Sequence, residues 1–195
     1  MDNKQEVDVM DEQNAAIENE QDVEMEDEQE AVMDRRVSTM TIQSVILLSI
    51  AISVPLFHQQ MITGPVVNAT LFAATVLLGA QMGVLVGLIP SVIALSVGTL
   101  PAALAPMVPY IMLSNVILIV TFNFLKGKNY WLAITAASFL KFLFLFVSRS
   151  VVVGLLLKKE LAESVVVMMS YPQLLTALLG GVLAKVFLDL YQGKK

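Results

Sequence analysis

From Thr39 to Leu125 the chain runs 87 residues without a single Asp, Glu, Lys or Arg. Ordinary soluble domains carry about a quarter charged residues, so a run of this length has no place in a water-facing fold. A bilayer crossing needs roughly 20 apolar residues, or ~17 at the short end. The charge-free run can therefore thread a membrane several times. Only a protonated His58 would interrupt its neutrality.

Helix breakers divide the apolar body into six candidate spans: about 37–57, 65–78, 82–97, 106–125, 130–157 and 165–190. Thr63-Gly64-Pro65 reads as a helix start with Pro in first position, because the missing Pro N–H falls among donors a helix start leaves unpaired anyway. Gly79 to Gln81 form a tight uncharged turn, GTLPAALAP (98–106) a Pro-rich connection, and 126–129 a basic turn.

Charge is segregated along the chain. Residues 1–36 hold 14 of the 17 acidic residues and three of the 12 basic ones, a net of −11, while residues 37–195 carry +6. The acidic segment has no aromatic residue and no sustained apolar face, so it cannot offset its ordering entropy by burial. The sequence thus predicts an all-α integral membrane protein. A disordered acidic cytoplasmic tail (1–36) would precede a six-transmembrane-helix bundle (37–195).

Basic flanks favour the cytoplasm. With the N-terminus inside, Arg35, Arg36, Lys126, Lys128, Lys194 and Lys195 are cytoplasmic, against Lys158 and Lys159 outside. Six against two gives a multi-pass cell-membrane protein with both termini inside. The outer loops are then 58–64, 98–105 and 158–164.

Much chemistry is excluded. There is no cysteine, hence no disulfide framework, no thiolate metal site and no Cys nucleophile. No GxxxxGK[ST] phosphate loop occurs, so the usual route to ATP hydrolysis is closed. One His in a loop and one acidic residue in the spans, Asp189, give neither a catalytic dyad nor a metal site. No basic nucleic-acid footprint is present. The chain reads as a non-enzyme without cofactor, leaving transport, binding or scaffolding.

Ionisable and amide residues inside the spans are the functional candidates. Lys141 lies ~16 Å into span five at 1.5 Å per residue, near the midplane. Arg149 lies nearer the outer end. Asn68 and Asn115 have no water to turn to, Gln173 follows Tyr171-Pro172 at the outer end of span six, and His58, Gln59 and Gln60 cap span one. All sit in the outer half or near the midplane, as a pocket open to the outside would require. Each taken alone also fits interhelical hydrogen bonding. Two candidate cations and no carboxylate there favour an anionic or acceptor-rich ligand. Lys185 and Asp189, one turn apart, read as a local pair. Small residues at four-residue spacing permit close helix approach, within the bundle or to a partner: Gly83 and Gly87, Ala69 and Ala73, Ser49 and Ser53.

The stretches HQQMITGPVVNATL (58–71), GLIPSVIALS (87–96), LAPMVPYIMLSN (104–115), LKFLFLF (140–146) and MMSYPQLLTALLGG (168–181) resemble the substrate-binding S components of energy-coupling factor (ECF) type ABC transporters. The resemblance covers about residues 40–190 and points to a branch without an assigned substrate. It implies a six-helix subunit that captures a vitamin or similar micronutrient from outside. Its partners would be a membrane T component and two cytoplasmic ATPases. It also implies ligand contacts from the first outer loop and the outer parts of helices four to six, where this chain has His58, Gln59, Gln60, Asn115, Arg149, Tyr171 and Gln173. The family's frequent Ala-x-x-x-Ala docking pair on helix one is replaced here by Ser49 and Ser53. Two other classes stay open: a self-sufficient secondary transporter or channel, and a scaffold whose acidic tail binds a cytoplasmic partner.

Overall fold

The computed structural model describes residues 3–54, 60–96, 102–156, 166 and 169–193. Among them the chain is helical: α1 Asn3–Ser53, α2 Gln60–Leu77, α3 Ala80–Ser96, a 3-10 turn Ala102–Met107, α4 Val108–Leu125, α5 Tyr130–Leu156 and α6 Tyr171–Gln192. The chain divides into two compact units, Met1–Ile42 and Gln43–Lys195.

The acidic segment expected to be disordered is helical from Asn3. Neither Gly nor Pro occurs between Asn3 and Ser53, and Glu, Gln, Met and Ala, which dominate the segment, are strong helix formers. Local propensity thus carries the helix where burial offers nothing. The described side chains of the first unit are exposed.

Among the described residues, four helices are long and apolar enough to cross a membrane: 27–53, 105–125, 130–151 and 171–192. This is a membrane protein on length and composition. The apolar stretches of α2 and α3 are shorter. At 1.5 Å per residue the two helices extend about 27 and 26 Å, close to the ~30 Å hydrocarbon core. Between them Gly79 adopts φ 88°, a left-handed turn that glycine enters without strain. The expected start of span two at Pro65 moves back to Gln60, with Pro65 inside the helix. Pro65 cannot donate to the carbonyl four residues earlier, and the helix tolerates that loss near its first turns. Span six starts at Tyr171 rather than near 165, with Pro172 in its first turn, where a missing N–H costs nothing.

In the second unit the core is built around α2. Leu71, Phe72, Ala73 and Ala74 are buried with Leu118, Ile119 and Phe122 of α4, Ala133, Ile134 and Ala137 of α5, and Ala177 and Ala184 of α6. Leu47 and Ala51, one turn apart on α1, complete it. Phe72 meets Phe122 edge-on at 4.7 Å between ring centres, and Phe122 meets Tyr130 at 5.4 Å. The outer faces stay apolar, with Val147, Val186, Leu179 and Leu190 all exposed. Such a surface is stable against acyl chains and unstable in water.

Helix α6 lies closest to its neighbours at two glycines. A Cβ on Gly180 would sit 2.6 Å from Asn68 Cβ and 2.8 Å from the Pro65 carbonyl, and one on Gly181 would sit 2.4 Å from Ile134 Cγ2. At the other end of α2, Lys126 Nζ donates to the Thr75 carbonyl at 2.9 Å. A cation thus caps a carbonyl of the last helical turn, where the helix dipole favours positive charge. Burial draws the Lys126 ammonium below its ordinary pKa.

Gly180→Ala is expected to destabilise the bundle by about 1–3 kcal/mol, the usual cost of overpacking. Gly127, whose added Cβ would meet nothing within 4 Å, is the control. Thermal unfolding of both alanine variants in detergent checks this: a Gly180→Ala protein as stable as Gly127→Ala would refute the close α2–α6 contact.

Candidate functional site

The site grows from one lysine. Lys141 is 4% exposed, and its ammonium donates to Asn68 Oδ1 at 2.7 Å and to Asn115 Oδ1 at 2.8 Å. Asn68 comes from α2, Asn115 from α4 and Lys141 from α5, so one cation ties three helices. Each amide is oriented by its other end. Asn68 Nδ2 donates to the Gly64 carbonyl one turn earlier at 2.9 Å, and Asn115 Nδ2 donates to the Gly87 carbonyl of α3 at 3.0 Å. With both NH2 groups committed to carbonyls, the amide oxygens are left to accept from lysine.

These three residues line a cleft of about 190 Å³. Thr63, Gly64, Val67 and Asn68 of α2 supply one wall, and Val86, Gly87, Pro90 and Ser91 of α3 another. Val108, Ile111 and Asn115 of α4 and Gln173 of α6 complete it. The contributions come from the first half of α2, α4 and α6, from the middle and second half of α3, and from Lys141 near the middle of α5. Pro90 has no N–H, so the Val86 carbonyl lacks its helical donor on the cleft side of α3.

Burying an ammonium is expensive, several kcal/mol even after relaxation, unless it is paired and hydrogen-bonded. Lys141 is hydrogen-bonded to two neutral oxygens. Among the described residues no carboxylate faces it. Asp189 pairs with Lys185 on α6, the local pair its spacing suggested. The arrangement therefore places a buried ammonium in the lining of an otherwise largely apolar cleft.

Of the residues singled out from sequence, Asn68, Asn115, Lys141 and Gln173 meet at the cleft. Arg149 does not. Its Nη1 donates to Ser170 Oγ at 2.6 Å and its guanidinium lies 3.7 Å over the Phe146 ring. Ser170 in turn donates to the Val166 carbonyl. Arg149 so links α5 to the start of α6 outside the cleft. Tyr171 is 66% exposed and also stands apart. His58 and Gln59 lie outside the described residues, and Gln60 begins α2.

The small-residue positions separate too. Gly83 faces inward, where an added Cβ would sit 2.7 Å from Thr75 Oγ1, and Gly87 faces Asn115 and Ile119. Both serve packing of α3 on α2 and α4 rather than an outside partner. Ser49 and Ser53 are exposed on α1, with the Ser49 hydroxyl returned to the Val45 carbonyl. Sequence reading missed Thr63, Ser91 and the apolar wall of Val67, Val86, Val108 and Ile111. The prolines at 65 and 90 were the available signal, because each interrupts a helix beside the cleft.

Comparison with known protein families, with curated proteins and with solved structures returns no match.

A double-mutant cycle tests the lysine–asparagine bridge. Asn115→Leu leaves the ammonium short of an acceptor and should destabilise the protein strongly, whereas Asn115→Leu combined with Lys141→Met should recover part of that loss. A coupling of about 1.5–3 kcal/mol is expected, as for hydrogen bonds to a charged group. Additive effects of the two substitutions on thermal or denaturant unfolding would refute the bridge.

Proposed function

We propose that this chain is the substrate-capture subunit of a membrane importer of the ECF type, with six spans and both termini in the cytoplasm. The observation that carries the reading is the cleft itself. A buried lysine and two oriented amides line it, beside residues of α2, α3, α4 and α6. Intramembrane ionisable groups are costly and are found where function repays them. A cleft of about 190 Å³ suits a small organic molecule.

The division of labour supports the rest. The sequence has no phosphate loop, so ATP-driven uptake would draw its energy from other chains. The resemblance to S components supplies their identity: a membrane T component and two cytoplasmic ATPases. The exposed face of α1 carrying Ser49 and Ser53 is the candidate docking strip, since small residues allow close helix approach. Gly83 and Gly87 are left to internal packing. Under this topology the cleft opens outward, and the basic turn at 126–129 lies inside.

Affinity purification of the tagged chain from its native membranes should recover a second membrane protein and two nucleotide-binding subunits. The Ser49→Leu, Ser53→Leu double variant should lose them while remaining folded. Purified chain alone in ATP-free vesicles should retain a ligand without accumulating it. Robust uptake by the chain alone would overturn the reading in favour of a secondary transporter. Recovery of a soluble cytoplasmic partner in place of these subunits would favour a scaffold. Labelling of a cysteine at Gly127 from outside intact cells would overturn the topology.

A further inference from the structure

We infer that the cleft takes a small monocarboxylate with an apolar, otherwise uncharged body, whose carboxylate pairs with Lys141. The inference rests on the capture reading and names the class of ligand that the same site would hold.

The charge balance decides the class. A lysine ammonium has three N–H donors, and two of them are spent on Asn68 and Asn115. Both partners are neutral, so they satisfy directions without neutralising charge. Lys141 also lines the cleft, which leaves the third donor for an occupant. Among the described residues no Asp or Glu contributes to the lining. The nearest acidic residue along α6, Asp189, pairs with Lys185, and Glu160 and Glu163 lie outside the described residues. An anion arriving from outside the protein completes the pair that a buried cation requires.

The number of charges is one. Arg149, the other cation of span five, is engaged with Ser170 and Phe146 and is not part of the lining. A dicarboxylate or phosphate monoester would bring a second negative charge with no counterpart, and its desolvation would go uncompensated. A free amino acid would bring an ammonium with no acid to meet it. The body of the ligand is apolar because Val67, Val86, Pro90, Val108 and Ile111 face it. Asn68 and Asn115 are positioning residues in this scheme. They hold the ammonium and leave the carboxylate to Lys141.

The test uses the full chain, purified in detergent, with three probes of matched shape and charge: benzoate, benzamide and phthalate. Binding is read from the concentration dependence of the unfolding midpoint, since a ligand of the native state alone raises it by mass action. Benzoate should bind about tenfold to a hundredfold more tightly than benzamide or phthalate, the range that one charge-assisted hydrogen bond confers. Lys141→Met should abolish the preference for benzoate. Ser91→Leu fills the cleft and leaves Lys141 in place, so it should abolish binding altogether. It also keeps the test open if the Lys141 variant does not fold. Benzamide binding as well as benzoate, with both lost in Ser91→Leu, would overturn the carboxylate inference and leave the capture cleft standing. Benzoate binding unchanged in Ser91→Leu would place it elsewhere on the protein and overturn the inference. So would failure of all three probes to bind, and recovery of T and ATPase subunits would then show separately whether the capture reading survives.

Discussion

A lysine ammonium held inside a membrane helix bundle sets the terms for everything around it. Its 4% exposure leaves it little water, and the hydrocarbon offers it nothing. Two amide oxygens must come to it, and each must be held with its oxygen forward. Asn68 does this through the Gly64 carbonyl of its own helix, and Asn115 through the Gly87 carbonyl of α3. Four helices are thereby fixed in register around one charge: α2, α3, α4 and α5. Apolar packing alone could let these helices slide or rotate at little cost, because lipid is as apolar as their surfaces. A polar cluster with few ways to be satisfied removes that freedom.

The close packing serves the same centre. Gly87 must lack a side chain because Asn115 and Ile119 lie against it, and Gly180 must lack one because Asn68 and the Pro65 carbonyl do. The glycines beside the polar cluster are thus what lets its backbone partners approach. Further along α2 the requirement changes to volume, and Phe72 and Phe122 fill the space edge to face. The later part of α2 is consequently packed with aromatic rings, and its earlier part borders the cleft that Lys141 lines.

Much of this was legible in the sequence and some of it was not. The charge-free run announced a membrane body, and the breakers placed α3, α4 and α5 to within a few residues, while α1 starts far earlier and α2 and α6 start at Gln60 and Tyr171. Asn68, Asn115 and Lys141 stood out because hydrocarbon penalises each of them. Their meeting could not be read, because a helix that is apolar all round carries no periodicity to fix which face turns inward. The same blindness put Arg149 in the pocket, polar and at the right depth, while Tyr171 entered through the family resemblance; neither lines the cleft. It also left Gly83 and Gly87 open to an outside partner when they pack inward. The acidic segment misled for a different reason. Its composition excludes a packed core, but nothing in it breaks a helix before Pro55.

The account stands on a buried, doubly accepted ammonium at Lys141, and lysine side-chain nitrogen resonance observes that group directly. In full-length protein with 15N-labelled lysine, Lys141 is the buried lysine among the described residues. One Nζ signal is expected to show hydrogens protected from exchange with solvent. It should vanish in Lys141→Met and shift in Asn68→Ala and in Asn115→Ala. A Lys141 signal that exchanges as fast as those of the other lysines and ignores both asparagine substitutions would contradict the account.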